Sequence, residues 1–486
     1  MLTLTEIALR KVAIMLWSKP ENLHSLKYFR FVSRDSNGKL NEWHELITTV
    51  AEQASHLELP ATLKKELASL LKPIGSEFLK FRSFVENFFY GNSELVDYMD
   101  ANVWTDQGSI DYCQTAEKIL NQKQLNNIFR FQFCCLFCLE DYIREIWGML
   151  SDQEKALCYR KENLNPLHEG VLSYWICTLS VDLTPVDCLI QGNIFDLTVY
   201  QYAFENSAAT GNFAATKYFF PKLTYSERVE SLVTTACGVA NKIRFWLTTR
   251  PEGVPRESYH DILCYLLEEM NTHEQVEVFQ RRAFIVLLCY LDWPRTKLFP
   301  QLLDRMWSFI SPVDYHQLVC VLAKRLTMSA YKYSPLFREC FLKSPLALQS
   351  VILEEQINKG CFLSHLFDVE DVENIQVVLR HYDRHIKEII FTCDAGIHIC
   401  HKLILKEKWQ LLELFIRECM IVEEIKPKII TNYRIFMHRC YERNINWGVS
   451  YKYCQFFEML RATKVPQDIN QNLGGENSSA KRIRIN

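Results

Sequence analysis

Apolar residues recur along this chain at spacings of three and four, which is the period of an amphipathic α-helix. The segments 43–56 and 61–71 show this period clearly, and Pro60 between them suits the first turn of a helix. The sequence contains no series of alternating apolar and polar residues that would indicate β-strands. The pattern therefore predicts an all-α protein.

A sequence motif typical of helix starts occurs three times, at Trp147–Glu154, Phe220–Glu227 and Trp307–Asp314. Each copy holds an aromatic residue, an aliphatic residue, a hydroxyl residue and an acid at fixed positions. The hydroxyl and the acid form a capping box, in which each side chain accepts from a backbone amide at the start of the new helix. The spacing corresponds to helix pairs of about 36 to 44 residues, which predicts stacked antiparallel pairs in an elongated solenoid. The aromatic residue of each copy is expected in the core.

Composition along the chain predicts three regions. Residues 1–110 form an N-terminal helical region, with the polar segment 100–111 as its end, and it is either separate from the next region or continuous with it. Residues 111–465 form a helical-repeat array. Residues 466–486 are rich in Asn, Gln, Gly and Ser and are predicted to be a disordered tail.

Prolines and glycines place the helix boundaries inside these regions. Separate helices are predicted over 61–71 and 76–90, on either side of Pro73. Helices are predicted to start at Ser334-Pro335 and at Ser344-Pro345, because proline suits the first helical turn. A single helix is predicted over 370–385.

The segment Ser207–Phe220, with the sequence SAATGNFAATKYFF, resembles the second half of an ankyrin repeat. In that family two small residues lie in the first helix, Gly-His or Gly-Asn turns the chain, and large apolar residues close the second helix. A weaker resemblance covers His398–Ile416, so ankyrin-like repeats are expected around 195–235 and weakly over 395–422. The Thr-Pro-Leu-His phrase of a standard repeat and its period of about 33 residues are missing from the sequence. The resemblance implies a degenerate repeat protein that recognises other proteins.

Composition and charge exclude several classes of protein. Hydrophobic residues make up 48% of the chain and charged residues 23%, which is typical of a globular protein. The net charge is −3, and basic residues are interspersed with acids, so a nucleic-acid partner is not expected. The sequence shows neither a long uncharged apolar run nor a signal peptide, and its 18 cysteines are spread thinly. We therefore expect a cytoplasmic protein with free thiols and no membrane partner, and Lys481–Arg484 is a candidate nuclear-import patch.

Three clusters of side chains could carry chemistry, and each has a structural alternative that the sequence favours. The clusters are Cys134, Cys135 and Cys138; Cys393, His398, Cys400 and His401; and His381, Asp383 and His385. The first has too few donors for a closed zinc site and lies among Phe and Leu residues, which favours core packing. In the second, metal binding stays open, but the resemblance implies that His398 is the family's structural histidine. The third places both histidines on one helix face and the acid away from it, which favours a solvated surface.

The sequence contains no phosphate-binding glycine loop, dinucleotide motif or nucleophile elbow. We therefore predict no catalytic, cofactor-binding or metal-binding residues and no enzymatic activity. The favoured hypothesis is a non-catalytic scaffold or adaptor whose partners are other proteins. The alternative is an adaptor that presents substrates to a ubiquitin ligase or another enzyme complex.

Overall fold

The computed structural model describes residues 3–29, 36–88, 100–121, 125–158, 169–180, 197–249, 258–349, 361–419, 426–440 and 451–462. Within these ranges every named element is a helix, and the only paired extended residues are an isolated antiparallel bridge between Trp104 and Ile110. The predicted all-α class is confirmed for this part of the chain. The stacking of helix pairs into a solenoid stays a prediction.

The chain divides into two compact units, Met1–Phe299 and Pro300–Asn486. Among its described residues, the first unit has α1 (Leu4–Trp17), α2 (Pro20–Tyr28), α3 (Ser36–Ser55), α4 (Ala61–Phe88), α5 (Tyr112–Leu120), α6 (Asn127–Leu136), α7 (Glu140–Met149), α8 (Asp152–Cys158), α9 (Glu169–Ser180), α10 (Val199–Ala209), α11 (Phe213–Phe219), α12 (Tyr225–Thr249), α13 (Tyr259–Glu269) and α14 (Thr272–Leu291). Two short 3-10 helices, Phe220–Lys222 and Arg295–Leu298, complete it.

The helices of the second unit follow from the last residue of the first. They are α15 (Phe299–Met306), α16 (Pro312–Lys343), α17 (Cys361–Asp368), α18 (Val372–His381), α19 (Arg384–Thr392), α20 (Asp394–Leu405), α21 (Trp409–Glu418), α22 (Lys426–Cys440) and α23 (Tyr451–Ala462). The predicted regions 1–110 and 111–465 stay predictions, and the predicted tail 466–486 lies outside the described residues.

The core of the N-terminal helices forms around two tryptophans. Trp17 of α1 and Trp43 of α3 are fully buried, and their rings stack with centroids 5.8 Å apart. The indole N–H of Trp17 donates to the carbonyl oxygen of Leu71 at 2.8 Å. A Cβ atom on Gly75 would lie 2.5 Å from the Trp17 ring, so only glycine lets α4 approach the indole this closely.

A partly buried ionic network joins α4 to later elements of the first unit. Lys80 of α4 and Arg295 of the second 3-10 helix both donate to the carboxylate of Asp261 in α13, Arg295 at 2.9 Å. Burial alone would raise the pKa of Asp261, but the charges of Lys80 and Arg295 hold that pKa well below its usual value. The network therefore ties α4, α13 and the 3-10 helix together through a charged carboxylate.

Four turns between consecutive helices share one backbone conformation among the described residues. Each contains a residue with positive φ: Cys138 at 53°, Gly211 at 82°, Glu370 at 57° and Glu407 at 55°. The next residue caps the following helix with closely similar angles: Leu139 (φ −82°, ψ 78°), Asn212 (−83°, 90°), Asp371 (−77°, 74°) and Lys408 (−83°, 61°).

The same backbone hydrogen bond closes all four turns. The amide of the capping residue donates to a carbonyl in the last turn of the first helix, as in a Schellman motif. The pairs are Leu139 to Cys134 at 3.0 Å, Asn212 to Ser207 at 2.9 Å, Asp371 to Leu366 at 3.0 Å and Lys408 to Leu403 at 2.9 Å. The four turns therefore share one Schellman-type backbone conformation, although only Gly211 is a glycine.

The predicted capping boxes start helices, and the reciprocal contact of the acid with the backbone amide of the cap is present at Ser151 and Thr224, whereas the carboxylate of Asp314 accepts from the hydroxyl of Ser311 instead. The hydroxyls of Ser151, Thr224 and Ser311 each accept from the backbone amide of the acid three residues later. Ser151 and Thr224 follow their turn residues, Cys138 and Gly211, at an identical spacing. Asp383 stands at the same spacing after Glu370 and caps α19 through the amide of Ile386. Ser311 has no such turn before it, so the third copy belongs to a different local arrangement.

Three predicted helix boundaries are wrong. Pro73 and Pro335 lie inside α4 and α16, so neither breaks its helix. At Pro335 the carbonyl and hydroxyl of Ser334 accept hydrogen bonds from the side-chain amide of Asn374 in α18 at 3.0 and 2.9 Å, which supplies a polar partner beside the proline. The predicted helix over 370–385 is divided, because Asp383 starts α19.

Candidate functional site

The Cys134, Cys135 and Cys138 cluster lies in the core at the first turn. All three side chains are buried, and the thiol of Cys134 donates to the carbonyl of Phe131 at 3.1 Å. Burial raises the pKa of Cys135 and of Cys138, so both thiols stay protonated at neutral pH. Protonated thiols are poor metal ligands and poor nucleophiles, so the chemistry here is that of small apolar side chains.

The four residues of the second cluster point to different partners. The thiol of Cys393 accepts from the amide of Gly396 at the start of α20. His401 is buried, and its Nδ1 lies 3.0 Å from the hydroxyl of Tyr433 in α22. Burial lowers the pKa of both His398 and His401, so the neutral imidazoles are favoured at neutral pH. The cluster joins α20 to α22 by a neutral hydrogen bond.

The third cluster is likewise dispersed. His381 Nε2 lies 2.6 Å from the side-chain oxygen of Gln349, while the carboxylate of Asp383 accepts from the amide of Ile386. His385 is exposed. No acid–base contact joins the three side chains. Across the described residues, no group of three or more His, Cys, Asp and Glu side chains is arranged to hold a metal ion.

A small, open groove lies in the second unit, where two helix–turn–helix units meet. Its walls come from α17 and its turn on one side and from α20 and its turn on the other. Phe367 and Leu403 line it but are each only 4% exposed, so the accessible lining is polar: Ser364, Asp368, Glu370, Lys402, Lys406 and Lys408. The groove therefore exists only where the two helix–turn–helix units meet, because neither unit alone has both walls.

Ion pairs bridge the groove from one unit to the next. Lys402 and Lys406 both approach Asp368, at 2.7 and 3.5 Å, and Lys408 approaches Glu370 at 2.7 Å. Three ammonium groups thus face two carboxylates, which leaves one positive charge in excess. The lysine side chains are 32% to 57% exposed, so an approaching molecule can reach them.

Behind the groove, a second charged contact links the same two units. The guanidinium of Arg380 in α18 donates to both carboxylate oxygens of Glu418 in α21, at 2.9 and 2.7 Å. Gln376 adds a hydrogen bond to Glu418 at 3.1 Å. The hydrogen bonds from Arg380 hold the pKa of Glu418 below its usual value, so the pair is charged at neutral pH. These contacts fix the two groove walls relative to each other.

Sequence reasoning missed this groove because its lining is split between segments that are distant in sequence. The available signal was the charge pattern Asp368-Val-Glu370 in one turn and Lys406-Glu-Lys408 in the other. The two charge patterns indicate a shared surface only when the two turns are recognised as structurally equivalent. That equivalence lies in backbone angles and not in residue types.

No protein-family model matches this chain, and no curated protein is similar to it in sequence. Among the described residues, no helix is long and apolar enough to cross a membrane.

Proposed function

We propose that this chain is a non-catalytic protein–protein interaction scaffold built on degenerate ankyrin-like helical repeats. The observation that carries the proposal is the groove between the two repeat units of the second compact unit. Its accessible lining consists of charged groups that remain within reach of solvent. Exposed charges of this kind can orient a protein segment that carries complementary charges.

The identical turns support the ankyrin-like part of the proposal. In the ankyrin family Gly-Asn or Gly-His makes the turn between the two helices of a repeat, and Gly211-Asn212 occupies the equivalent turn here. Cys138, Glu370 and Glu407 adopt the same positive φ without glycine. Helix pairs of one geometry can stack and share a core, which would build the predicted solenoid over 111–465.

The charge of the groove favours a partner segment that carries carboxylates. A carboxylate of the partner can form an ion pair with one of the lysines while Asp368 and Glu370 each keep a lysine partner, because lysines outnumber acids in the lining. Contacts of this kind at exposed positions favour orientation and association rate more than affinity.

The test is affinity capture with variants matched in charge. The full chain is immobilised, exposed to lysate of its own cells, and the bound proteins are identified and then purified for direct binding. Reversing the groove lysines together (Lys402→Glu, Lys406→Glu and Lys408→Glu) should weaken binding of the purified partner at least tenfold. The control reverses three exposed lysines of the first unit, Lys11, Lys19 and Lys242, and should retain binding. Equal affinity of the two variants for the partner would show that the groove does not bind it.

The second candidate is an adaptor that presents substrates to a ubiquitin ligase or another enzyme complex. Such an adaptor would use the same groove as the plain scaffold, but it would also bind a second protein elsewhere on the chain. Co-purification of a ligase subunit that persists in the groove variant would favour this candidate. Loss of every bound protein in that variant would favour the plain scaffold.

A further inference from the structure

A thiol and an imidazole lie side by side on a partly exposed face of α16. Nε2 of His316 is 3.4 Å from Sγ of Cys320, which is within hydrogen-bonding range for sulfur. The two residues are one helical turn apart, so the helix itself holds them together. Both side chains are partly exposed, and a small molecule in solution can therefore reach the thiol. A histidine beside a cysteine is the pairing that activates a thiol as a nucleophile.

The same face of α16 favours the ionised form of this thiol. The residues three and four positions from Cys320 are His316, Gln317, Ala323 and Lys324. None of them is an acid, and Lys324 places an exposed positive charge one turn beyond the sulfur. Cationic neighbours stabilise a thiolate relative to the thiol. Cys320 therefore has a proton acceptor one turn before it and a cation one turn after it.

Cys113 of α5 is partly exposed as well, but the groups around its sulfur have the opposite effect. Burial, and after it the charges of Asp111 and Glu117, raise the pKa of Cys113 to about 11 against the opposing charge of Lys217. The two cysteines thus differ in the groups near the sulfur and not only in access. Cys113 is therefore a reference within the same chain.

We propose that Cys320 is a modification site that exchanges with small disulfides bearing carboxylates, with His316 as the base. Sγ passes its proton to Nε2 of His316 and attacks one sulfur of the disulfide. A new S–S bond forms to that sulfur, the original S–S bond breaks, and the other sulfur leaves as a thiolate that takes the proton from the imidazolium. One disulfide is consumed and one is formed, so the exchange needs no further oxidant.

Lys324 gives the site its preference for an acidic reagent. Its ammonium group lies on the same helix face as Cys320, so it can attract the carboxylates of an approaching disulfide. Attachment would place an acidic group on the exposed face of α16. The proposal does not depend on the groove between the turns at Glu370 and Glu407.

The test incubates the full chain with glutathione disulfide at pH 7.0 and follows each cysteine by peptide mapping. Cys320 should react at least about tenfold faster than Cys113, because far more of its sulfur is ionised. The substitution His316→Gln should slow Cys320 about fivefold, since the lost thiolate is partly offset by the higher nucleophilicity of an unassisted thiol. Gln317→Ala, at the exposed neighbouring position, should react like the wild type.

A second pH separates a base from a structural role. At pH 9.5 a thiol with the ordinary pKa of about 8.5 is ionised without help, so the wild type and His316→Gln should react at similar rates. Lys324→Gln should slow the exchange with glutathione disulfide and not with cystamine, a disulfide that carries ammonium groups. Equal effects on the two reagents would contradict the preference for carboxylates.

The ultraviolet absorbance of the thiolate gives a readout that needs no histidine variant. At pH 7.0 the wild type should show a thiolate band that Cys320→Ser lacks, and its absence would contradict the proposal. Cys320 reacting no faster than Cys113 would overturn it, as would His316→Gln reacting at the rate of the wild type at pH 7.0. Equal slowing of His316→Gln at both pH values would assign a structural role to the histidine and exclude it as the base.

Discussion

The aromatic residues of the three helix-start motifs differ in burial. Phe220 is 5% exposed and contacts the rings of Phe204 and Tyr265, with centroids 5.5 and 6.0 Å away. Trp147 and Trp307 are only partly buried. The expectation that all three lie in the core therefore holds fully for Phe220 alone. The position of a residue within a sequence motif does not determine its burial, because burial depends on which helices cover the side chain.

The substitution Phe220→Ala should lower the free energy of unfolding by about 3–5 kcal/mol, because it leaves a cavity in packed surroundings. Trp147→Ala should cost less, roughly 1–2 kcal/mol, since part of its ring already contacts solvent. Urea denaturation followed by circular dichroism measures both. Equal losses for the two variants would show that the difference in burial is not decisive.

The substitution Asp261→Asn should destabilise the protein by about 2–3 kcal/mol, because it removes the shared carboxylate that accepts from two partly buried cations, Lys80 and Arg295. Asp304→Asn breaks an exposed pair with Lys343 and should cost under about 1 kcal/mol. The folded-state pKa of Asp261 lies below its unfolded value of about 3.9. Its contribution is therefore complete above about pH 4 and is lost as the pH falls through the folded pKa.

Urea titrations of wild type and Asp261→Asn at several pH values check this sign. The stability difference should be constant from about pH 8 to 5 and should shrink only below about pH 4. A difference that shrinks on raising the pH from 5 to 8 would contradict the assignment of a charged Asp261.

At the scale of elements, the turns at Cys138, Glu370 and Glu407 hold a conformation that ordinary residues resist. A left-handed residue with a Cβ is disfavoured by about 1 kcal/mol. The hydrogen bonds of the Schellman-type turn and the packing of the two helices offset that strain. The turns are therefore set by the helices around them as much as by their own residues.

The substitution Glu407→Gly should raise the free energy of unfolding by about 0.5–1 kcal/mol, because glycine adopts positive φ without strain. Its lost ion pair with Lys452 is exposed and contributes little. Glu413→Gly, at an exposed position inside α21, is the matched control and should lower stability by about 1 kcal/mol. Gly211→Ala should also destabilise, since its new Cβ would lie 3.2 Å from the Tyr259 ring. A destabilised Glu407→Gly would contradict the turn assignment.

Helix starts were predictable from sequence because capping is local. Thr3, Ser151, Thr224 and Ser311 each accept from an amide three residues later, so the signal and the contact lie within one turn. The effects of Pro73 and Pro335 were not predictable, because each depends on tertiary surroundings. Trp17 binds the carbonyl of Leu71 near the first, and Asn374 binds Ser334 near the second. The groove escaped prediction for the same reason, since its two walls meet only in three dimensions.

At the scale of the whole molecule, the cysteines of the described residues lie mostly in the core, where thiols are poor nucleophiles. Most of those in the described residues are buried, while Cys113, Cys320, Cys393 and Cys454 are partly exposed. Burial raises the pKa of Cys113 to about 11 and that of Cys264 to about 12. The reactive thiolate is therefore scarce at neutral pH even where solvent has access.

Alkylation of the native protein with iodoacetamide at pH 7.5, followed by peptide mapping, should modify Cys320 and Cys454 before any buried cysteine. Cys264 and Cys289 should react only after urea unfolds the chain, because they are fully buried. Modification of Cys264 in the native protein as fast as Cys454 would contradict the burial described for the first unit.

The four equivalent turns also bear on how local structures of this kind can be compared. Three of them adopt the torsion angles typical of a glycine turn while carrying Cys or Glu, so the shape of the turn does not depend on its residue type. A strain of about 1 kcal/mol per turn is small enough for neighbouring contacts to offset. A search for glycine at the turn would find only Gly211 among these four, whereas a search by backbone torsions finds all of them. Helix–turn–helix units of this kind are therefore better compared through backbone conformation than through residue types.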